Sequence, residues 1–159
     1  MAQLSMHSPV GDLTITEEDG EIISLDWGWI PAEWQSETPL LREAIEQLND
    51  YFDGNRVDFD LPFNPPGTPF QKAVCAAMLK IPGGSTKSYG ELAEELDSSA
   101  QAVGNACGHN PIPILIPCHR VLAAGREMGG YSGDGGLQTK KWLLALEKAL
   151  PPQQEELNL

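Results

Sequence analysis

The chain has 159 residues, 41% of them hydrophobic, and its 23 acidic and 10 basic side chains give a formal net charge of −13. This length can bury one large core or two small ones. No apolar run approaches the roughly 18 residues of a membrane span and no basic, apolar leader is present, so we expect a cytoplasmic protein that does not enter membranes.

The acidic charge is concentrated in the first part of the chain. Residues 1–65 contain 14 acidic and 2 basic side chains, whereas residues 66–159 contain 9 and 8. Such an acidic surface is typical of a solvated face that promotes solubility, whereas nucleic-acid binding usually uses clustered Lys and Arg. The sequence therefore has no strong basic footprint, although its second part is close to neutral.

The first part predicts a small α+β unit. Short β segments bounded by turn residues are predicted at Gln3–His7, Leu13–Thr16, Ile22–Trp27 and Val57–Leu61. Thr38 is placed to cap a helix that begins at Pro39 and continues at helical spacing to Gly54. These residues converge on no chemistry, so we interpret residues 1–64 as a scaffold domain.

The second part predicts a helical domain, residues 66–150, followed by a polar tail, residues 151–159. Proline and glycine in residues 62–67 break regular structure, and the capping box Thr68-Pro69-Phe70-Gln71 then begins a helix. Three further helices are predicted at Ser88–Leu96, Ser99–Gly108 and Gln138–Leu150. The first two of these, joined by a tight turn, are typical of a helix-turn-helix.

One segment of this domain carries a candidate nucleophile. Cys118 lies beside His119 at the end of an apolar run, and a neighbouring imidazole lowers the cost of forming the reactive thiolate. Glu147 lies near the edge of an apolar helical stripe, where a carboxylate needs a partner such as His119. The alternatives are a buried structural cysteine and an exposed Glu147 paired with a lysine.

The other cysteines bear on the compartment. Cys75, Cys107 and Cys118 form neither an even disulfide framework nor a C-x-x-C pair. This pattern favours a reducing compartment and argues against a structural zinc site.

The segment Asn110–Val121, with Gly130–Gly133 and Leu143–Glu147, resembles the active-site region of the methylated-DNA–protein cysteine methyltransferases, or O6-alkylguanine-DNA alkyltransferases. The resemblance extends from about Thr68 to Leu150. It implies an α+β protein in which a small sheet-plus-helix domain precedes a winged-helix domain that carries the reactive cysteine. It also implies a single-turnover DNA repair reaction, in which an alkyl group on O6 of a flipped-out guanine is transferred to Cys118. No cofactor or metal is implied, because the substrate carries both the electrophile and the leaving group.

The resemblance also implies residue roles. The implied catalytic residues are Cys118, His119, Glu147, Tyr89 and Asn110. The implied substrate-binding residues are Val121, Tyr131, Ser132 and Gly133. The implied DNA-binding residues are Ala100, Gln101, Gly104, Asn105 and Arg120. In this scheme the Tyr89 hydroxyl bonds the base, the Ser132 N–H faces O6, and the Val121 carbonyl accepts from the exocyclic amine.

Two positions depart from the family pattern. Gln101 stands where the family usually has an intercalating Arg, and Cys75 stands where it often has Trp.

The implied partner is double-stranded DNA containing O6-alkylguanine, bound by a monomer. One alternative is a protein that recognises alkylated guanine without repairing it; in such relatives the nucleophile is replaced, commonly by Trp. A DNA-responsive regulator is a third possibility, but the chain has no additional domain for that output.

Overall fold

The N-terminal half is a three-stranded antiparallel sheet covered by one helix, and these four elements lie where the sequence predicts them. The structure is a computed structural model that describes residues 1–131 and 133–149, so Leu150 and the predicted tail at 151–159 lie outside the described residues. Strands β1 (Ala2–Met6), β2 (Leu13–Glu18) and β3 (Glu21–Trp27) pair in chain order. Asp19 and Gly20, with φ of 53° and 79°, form the two-residue turn that suits the twist of the β2–β3 hairpin.

Helix α1 (Pro39–Phe52) packs its apolar face on this sheet. Its first turn is capped by Thr38, whose hydroxyl accepts from the Leu41 N–H at 3.1 Å, and Pro39 takes the first helical position. The buried residues that it contributes are Leu41, Ala44, Gln47, Leu48, Tyr51 and Phe52. Residues 57–61 do not form the predicted strand.

That prediction is wrong because buried side chains, not a neighbouring strand, satisfy the backbone of this segment. Gln47 accepts from the Asp60 N–H at 2.9 Å and donates to the Asp60 carbonyl at 3.1 Å. The Val57 carbonyl accepts from the Arg120 guanidinium at 2.6 Å. Backbone groups need a partner of some kind, and here the partners come from α1 and from the second half.

The second half contains the predicted helix-turn-helix. Helix α2 (Pro69–Leu79) begins with the predicted capping box. Strand β4 (Lys87–Ser88), helix α3 (Tyr89–Glu95) and helix α4 (Ala100–Gly108) follow. Asp97, at φ 52°, makes the tight turn between the two short helices. Strand β4 pairs in parallel with β5 (Val121–Leu122), which holds the start of α3 beside the segment that carries Cys118.

Helix α5 (Leu137–Leu146) ends earlier than the sequence predicts. Glu147 is its C-terminal cap, and Lys148 takes the left-handed conformation with φ 59°. The Lys148 N–H donates to the Ala145 carbonyl at 3.0 Å, and the Ala149 N–H donates to the Leu144 carbonyl at 2.8 Å. This pair of bonds is a Schellman motif, which places Glu147 at the point where the chain turns away from the helix axis.

One apolar core joins the two halves. It runs from the sheet and α1 through the helix-turn-helix to α5, and includes Leu13, Ile22, Leu48, Val74, Leu92, Val103, Ile116 and Leu143. Among the described residues, no helix is long and apolar enough to cross a membrane.

Candidate active site

Cys118 lies at the end of a segment that is folded tightly by its own backbone. The Asn110 side chain braces this segment, because its amide donates to the Ile116 carbonyl at 2.9 Å and its oxygen accepts from the Ile112 N–H at 3.0 Å. Ile114 is fully buried at φ 72°, a conformation that is costly for a β-branched residue. The segment delivers Cys118 to the start of a 3₁₀ turn, Cys118–Arg120.

Cys118 faces a cavity of about 450 Å³ between the helix-turn-helix and the loop that precedes α5. The other lining residues are Tyr89, Gly104, Cys107, Gly108, Gly130 and Tyr131. Beyond the neighbouring backbone, a Cβ atom added at Gly104, Gly108 or Gly130 would meet no atom of the described residues within 4 Å, so packing within this part of the chain does not explain these glycines. They leave the cavity wide beside Cys118. Another cavity of about 420 Å³, beside β4 and Lys148, has no cysteine or histidine among the described residues that line it.

A buried hydrogen bond orients His119. Its Nε2 lies 2.6 Å from Glu147 Oε2, and both side chains are fully buried. Burial lowers the pKa of His119, so the ring is neutral at physiological pH. Because an ionised carboxylate can only accept, the proton lies on Nε2 and the lone pair on Nδ1. Nδ1 is buried and has no hydrogen-bond partner among the described residues.

Glu147 is held in its ionised form by the donors around it. Burial alone would raise its pKa, but hydrogen bonds from His119 and Arg120, together with the positive charge of Arg120, lower the pKa to about 2. Arg120 donates to Glu147 from Nε at 2.8 Å and from Nη2 at 3.2 Å. The Tyr51 hydroxyl donates at 2.5 Å. The alternative of an exposed Glu147 is therefore excluded, since the residue is only 5% exposed.

Arg120 does not reach the surface, so the predicted DNA contact is not supported. Its side chain is buried, and its remaining donors bind the Asp58 carboxylate at 2.9 Å and the carbonyls of Ile81 and Val57, each at 2.6 Å. All five guanidinium donors are thus used within the protein. A long charged side chain next to a histidine can lie at the surface or in the interior, and the sequence alone does not decide between the two.

The other two cysteines are poor candidates for the nucleophile. Burial raises the pKa of Cys75 to about 11 and that of Cys107 to about 12, so both remain thiols near neutral pH. Cys107 contacts the sulfur of Met78 at 3.6 Å rather than a base. Cys118 alone of the three adjoins a histidine.

Lys140 is a residue that the sequence reasoning missed. Its Nζ donates to the carbonyls of Val121 at 2.7 Å and Gly130 at 2.9 Å, and lies 5.8 Å from the centre of the Tyr89 ring. Burial lowers the pKa of Lys140 to about 8. The available signal was helical spacing, because Lys140 precedes the buried Leu143 and Leu144 by three and four positions. The Val121 carbonyl therefore already accepts one internal hydrogen bond.

The loop that precedes α5, which contains the predicted substrate-binding residues Tyr131 and Gly133, is packed closely at Gly129 and Gly133. A side chain at Gly129 would lie 2.9 Å from the Tyr89 hydroxyl, and one at Gly133 would lie 2.5 Å from the Tyr131 ring. Tyr131 also packs edge-on against Trp27, with ring centres 6.4 Å apart. The loop therefore packs against Tyr89 and, through Tyr131, against Trp27 of the N-terminal sheet. Ser132, predicted to face O6, lies outside the described residues.

Helix α4 carries the other four predicted DNA-binding residues on the face that points away from the core. Ala100, Gln101 and Asn105 are exposed and Gly104 is half-buried, whereas Val103, Ala106 and Cys107 face the core. The helix contains no Lys or Arg. Among the described residues, no group of three or more His, Cys, Asp or Glu side chains is arranged to hold a metal ion.

Comparisons with known proteins cover nearly the whole chain. The family described as “6-O-methylguanine DNA methyltransferase, ribonuclease-like domain” matches residues 2–65, and the family described as “6-O-methylguanine DNA methyltransferase, DNA binding domain” matches residues 69–149. The methylated-DNA–protein-cysteine methyltransferase of Mycobacterium tuberculosis is 39% identical over 155 residues, which cover 93% of each chain. The constitutive methylated-DNA–protein-cysteine methyltransferase of Bacillus subtilis is 38% identical over 156 residues, which cover 89% of this chain and 92% of that relative.

A solved structure agrees with the fold. The crystal structure of Mycobacterium tuberculosis OGT in complex with DNA matches with a TM-score of 0.83 at 38% identity, covering 97% of this chain and 98% of that chain.

Proposed function

The chain belongs to the methylated-DNA–protein-cysteine methyltransferase family, and we propose that it repairs DNA by transferring the alkyl group of O6-alkylguanine to its own Cys118. One observation carries the assignment of Cys118. It lines the cavity beside a neutral His119 whose other nitrogen donates to an ionised Glu147, 2.6 Å away. A nucleophile, a base and a carboxylate that orients the base are the parts that thiol activation requires.

The reaction follows from these groups. His119 Nδ1 takes the proton of the Cys118 thiol, directly or through one water, and Glu147 stabilises the imidazolium that forms. The sulfur then attacks the alkyl carbon, so that an S–C bond forms while the C–O6 bond breaks and its electron pair stays with the guanine, which takes up a proton. The product on the protein is a thioether. Because a thioether has no carbonyl for water to attack, each molecule acts once.

The cavity residues supply the substrate contacts in this proposal. Tyr89 and Tyr131 line the cavity and place ring and hydroxyl groups beside the base. Donors near a leaving group stabilise the charge that develops on it. We assign Ser132 and Gly133 to the pocket wall and the Val121 carbonyl to the exocyclic amine, a contact that Val121 would share with Lys140.

The partner in this proposal is duplex DNA that contains O6-alkylguanine, bound by a monomer in the cytoplasm. A base inside a duplex is not accessible to Cys118, so the guanine must be flipped into the cavity. The exposed face of α4, with its small side chains Ala100 and Gly104, suits close approach to a minor groove. Gln101 would occupy the gap that the flipped base leaves.

We also propose the division into a scaffold domain at residues 1–64 and a reactive domain at residues 66–150. The ends of the two family matches, at residues 65 and 69, support a boundary in this region.

Intact-protein mass spectrometry tests the function. Incubation with an equimolar duplex containing O6-methylguanine should add one methyl group per protein molecule, and Cys118→Ser should add none, because a hydroxyl is a far weaker nucleophile than a thiolate. An unchanged mass together with tight, lesion-dependent binding would instead favour the alternative of a recognition protein without repair activity.

A further inference from the structure

The N-terminal half, predicted as scaffold, contributes a side chain to the hydrogen bonds around the His119–Glu147 pair. The Tyr51 hydroxyl, from α1, donates to Glu147 Oε2 at 2.5 Å. The same carboxylate oxygen accepts from His119 Nε2 at 2.6 Å. Tyr51 is fully buried, and its ring packs against Phe52 and Phe59 with centres 5.5 Å and 5.2 Å away. The ring that carries this hydroxyl is therefore packed among side chains of the N-terminal half.

A second contact from the same half holds the guanidinium that faces Glu147. Asp58 Oδ1 accepts from Arg120 Nη1 at 2.9 Å and from the Gly83 N–H at 3.1 Å. The Val57 carbonyl accepts from Arg120 Nη2 at 2.6 Å. Two of the three residues that donate to Glu147 are thus the N-terminal tyrosine itself and an arginine fixed by N-terminal acceptors.

We propose that Tyr51 is a positioning residue that lowers the proton affinity of His119 through Glu147, and so limits the fraction of Cys118 that is thiolate before substrate binds. This inference rests on the proposed function, in which His119 takes the Cys118 proton. It assigns to the N-terminal half a part in the reactivity of the site.

Tyr51 and His119 compete for one oxygen of Glu147. A short hydrogen bond from Tyr51 draws negative charge from Glu147 Oε2, which then stabilises a protonated His119 less well. Tyr51 remains a donor, because burial and the nearby Glu147 raise its pKa far above neutral pH.

The other groups around His119 define the balance that Tyr51 adjusts. Burial, Arg120 and Lys140 disfavour the imidazolium, while Glu147 favours it. Asp58 acts on Arg120, Tyr131 lies close enough to interact with Glu147 and Cys118, and the Cys118 thiolate would itself favour the imidazolium. Removing the Tyr51 hydroxyl removes one hydrogen bond to Glu147 and leaves the charges of all these groups in place.

The test is the Tyr51→Phe variant of the full chain, which keeps the ring and removes the hydroxyl. NMR titration of the His119 imidazole should show its pKa raised by about one unit, the size expected for one charge-assisted hydrogen bond. Iodoacetamide should then alkylate Cys118 several-fold faster at neutral pH, up to about tenfold, since each unit of proton affinity is a factor of ten in the thiolate–imidazolium population. Phe52→Leu is the matched control, because it disturbs the same aromatic packing and leaves the hydroxyl.

Two results would overturn the inference: an unchanged His119 pKa and alkylation rate in Tyr51→Phe, or equal shifts in Phe52→Leu. Neither measurement requires DNA. Failure of the wild-type protein to accept a methyl group would contradict the proposed function, whereas the His119 titration would still decide the role of Tyr51.

Discussion

Replacing Glu147 with glutamine removes the buried carboxylate that accepts several hydrogen bonds beside His119. The carboxylate accepts from Tyr51, His119 and Arg120, and an amide presents only one oxygen to these donors. Breaking one side of a buried ion pair costs about 3 to 5 kcal/mol. The pKa of Glu147, about 2 against an ordinary 4.5, corresponds to about 3 kcal/mol of stability at neutral pH. We therefore expect Glu147→Gln to be less stable by about 3 kcal/mol at neutral pH.

The sign of the pH dependence gives a sharper test. Because the folded-state pKa is depressed, the contribution of Glu147 is fully present above pH 4.5 and is lost as the pH falls towards 2. Urea unfolding should show that the gap between wild type and variant narrows over this range. The exposed pair Lys87–Glu95 provides the control, since Glu95→Gln should cost less than about 1 kcal/mol.

Kinetics complete this prediction. Single-turnover transfer should slow by about tenfold to a thousandfold in Glu147→Gln, because His119 loses the group that orients it and stabilises its charged form. An unchanged rate from about pH 6 to 9, or a stability gap that does not depend on pH, would refute the reasoning.

Three further substitutions test separate parts of the structure. Gln101→Arg should tighten duplex binding and speed duplex repair, with little effect on the rate of reaction with free O6-benzylguanine. It should also steepen the slope of log affinity against log salt by about 0.9 if the arginine contacts one phosphate. Unchanged or impaired duplex repair would show that α4 does not fill the gap left by the flipped base. Lys148→Gly should raise stability in urea by about 0.5 to 1 kcal/mol, because Lys148 is exposed at φ 59°, and a loss of stability would contradict this. The free energy of unfolding should include a contribution from Lys140 that rises with pH between about 8 and 10.5, because the lowered pKa of Lys140 means that the unfolded chain binds more protons in this range. Lys140→Met should abolish this rise. Identical pH profiles of stability in wild type and variant would show that the pKa of Lys140 is not lowered.

The local elements could be predicted because their signals lie within a few residues. Thr38 and Thr68 stand at the observed helix caps, and the Asp-Gly pair at 19–20 lies in the observed hairpin turn. The segment 57–61 could not be predicted, since its extended pattern is overridden by Gln47 and Arg120, which are distant in sequence.

The candidate site divides in the same way. The proximity of Cys118 and His119 follows from their adjacency, and the pairing of His119 with Glu147 was predicted from the need of a carboxylate at an apolar stripe for a partner. Tyr51 lies 96 residues from Glu147, and nothing in the sequence around it indicates that contact. Arg120 was placed at the DNA because charge alone does not reveal burial.

The measurement that tests the central claim most directly is peptide mapping after reaction with a duplex containing O6-methylguanine. The protein is digested, and the methyl group is located among the peptides that contain Cys75, Cys107 and Cys118. We predict one methyl group, on Cys118, in proportion to the lesion consumed, because Cys118 lines the cavity and directly precedes His119, which is paired with Glu147. Methylation of Cys75 or Cys107 with Cys118 unmodified would contradict the account.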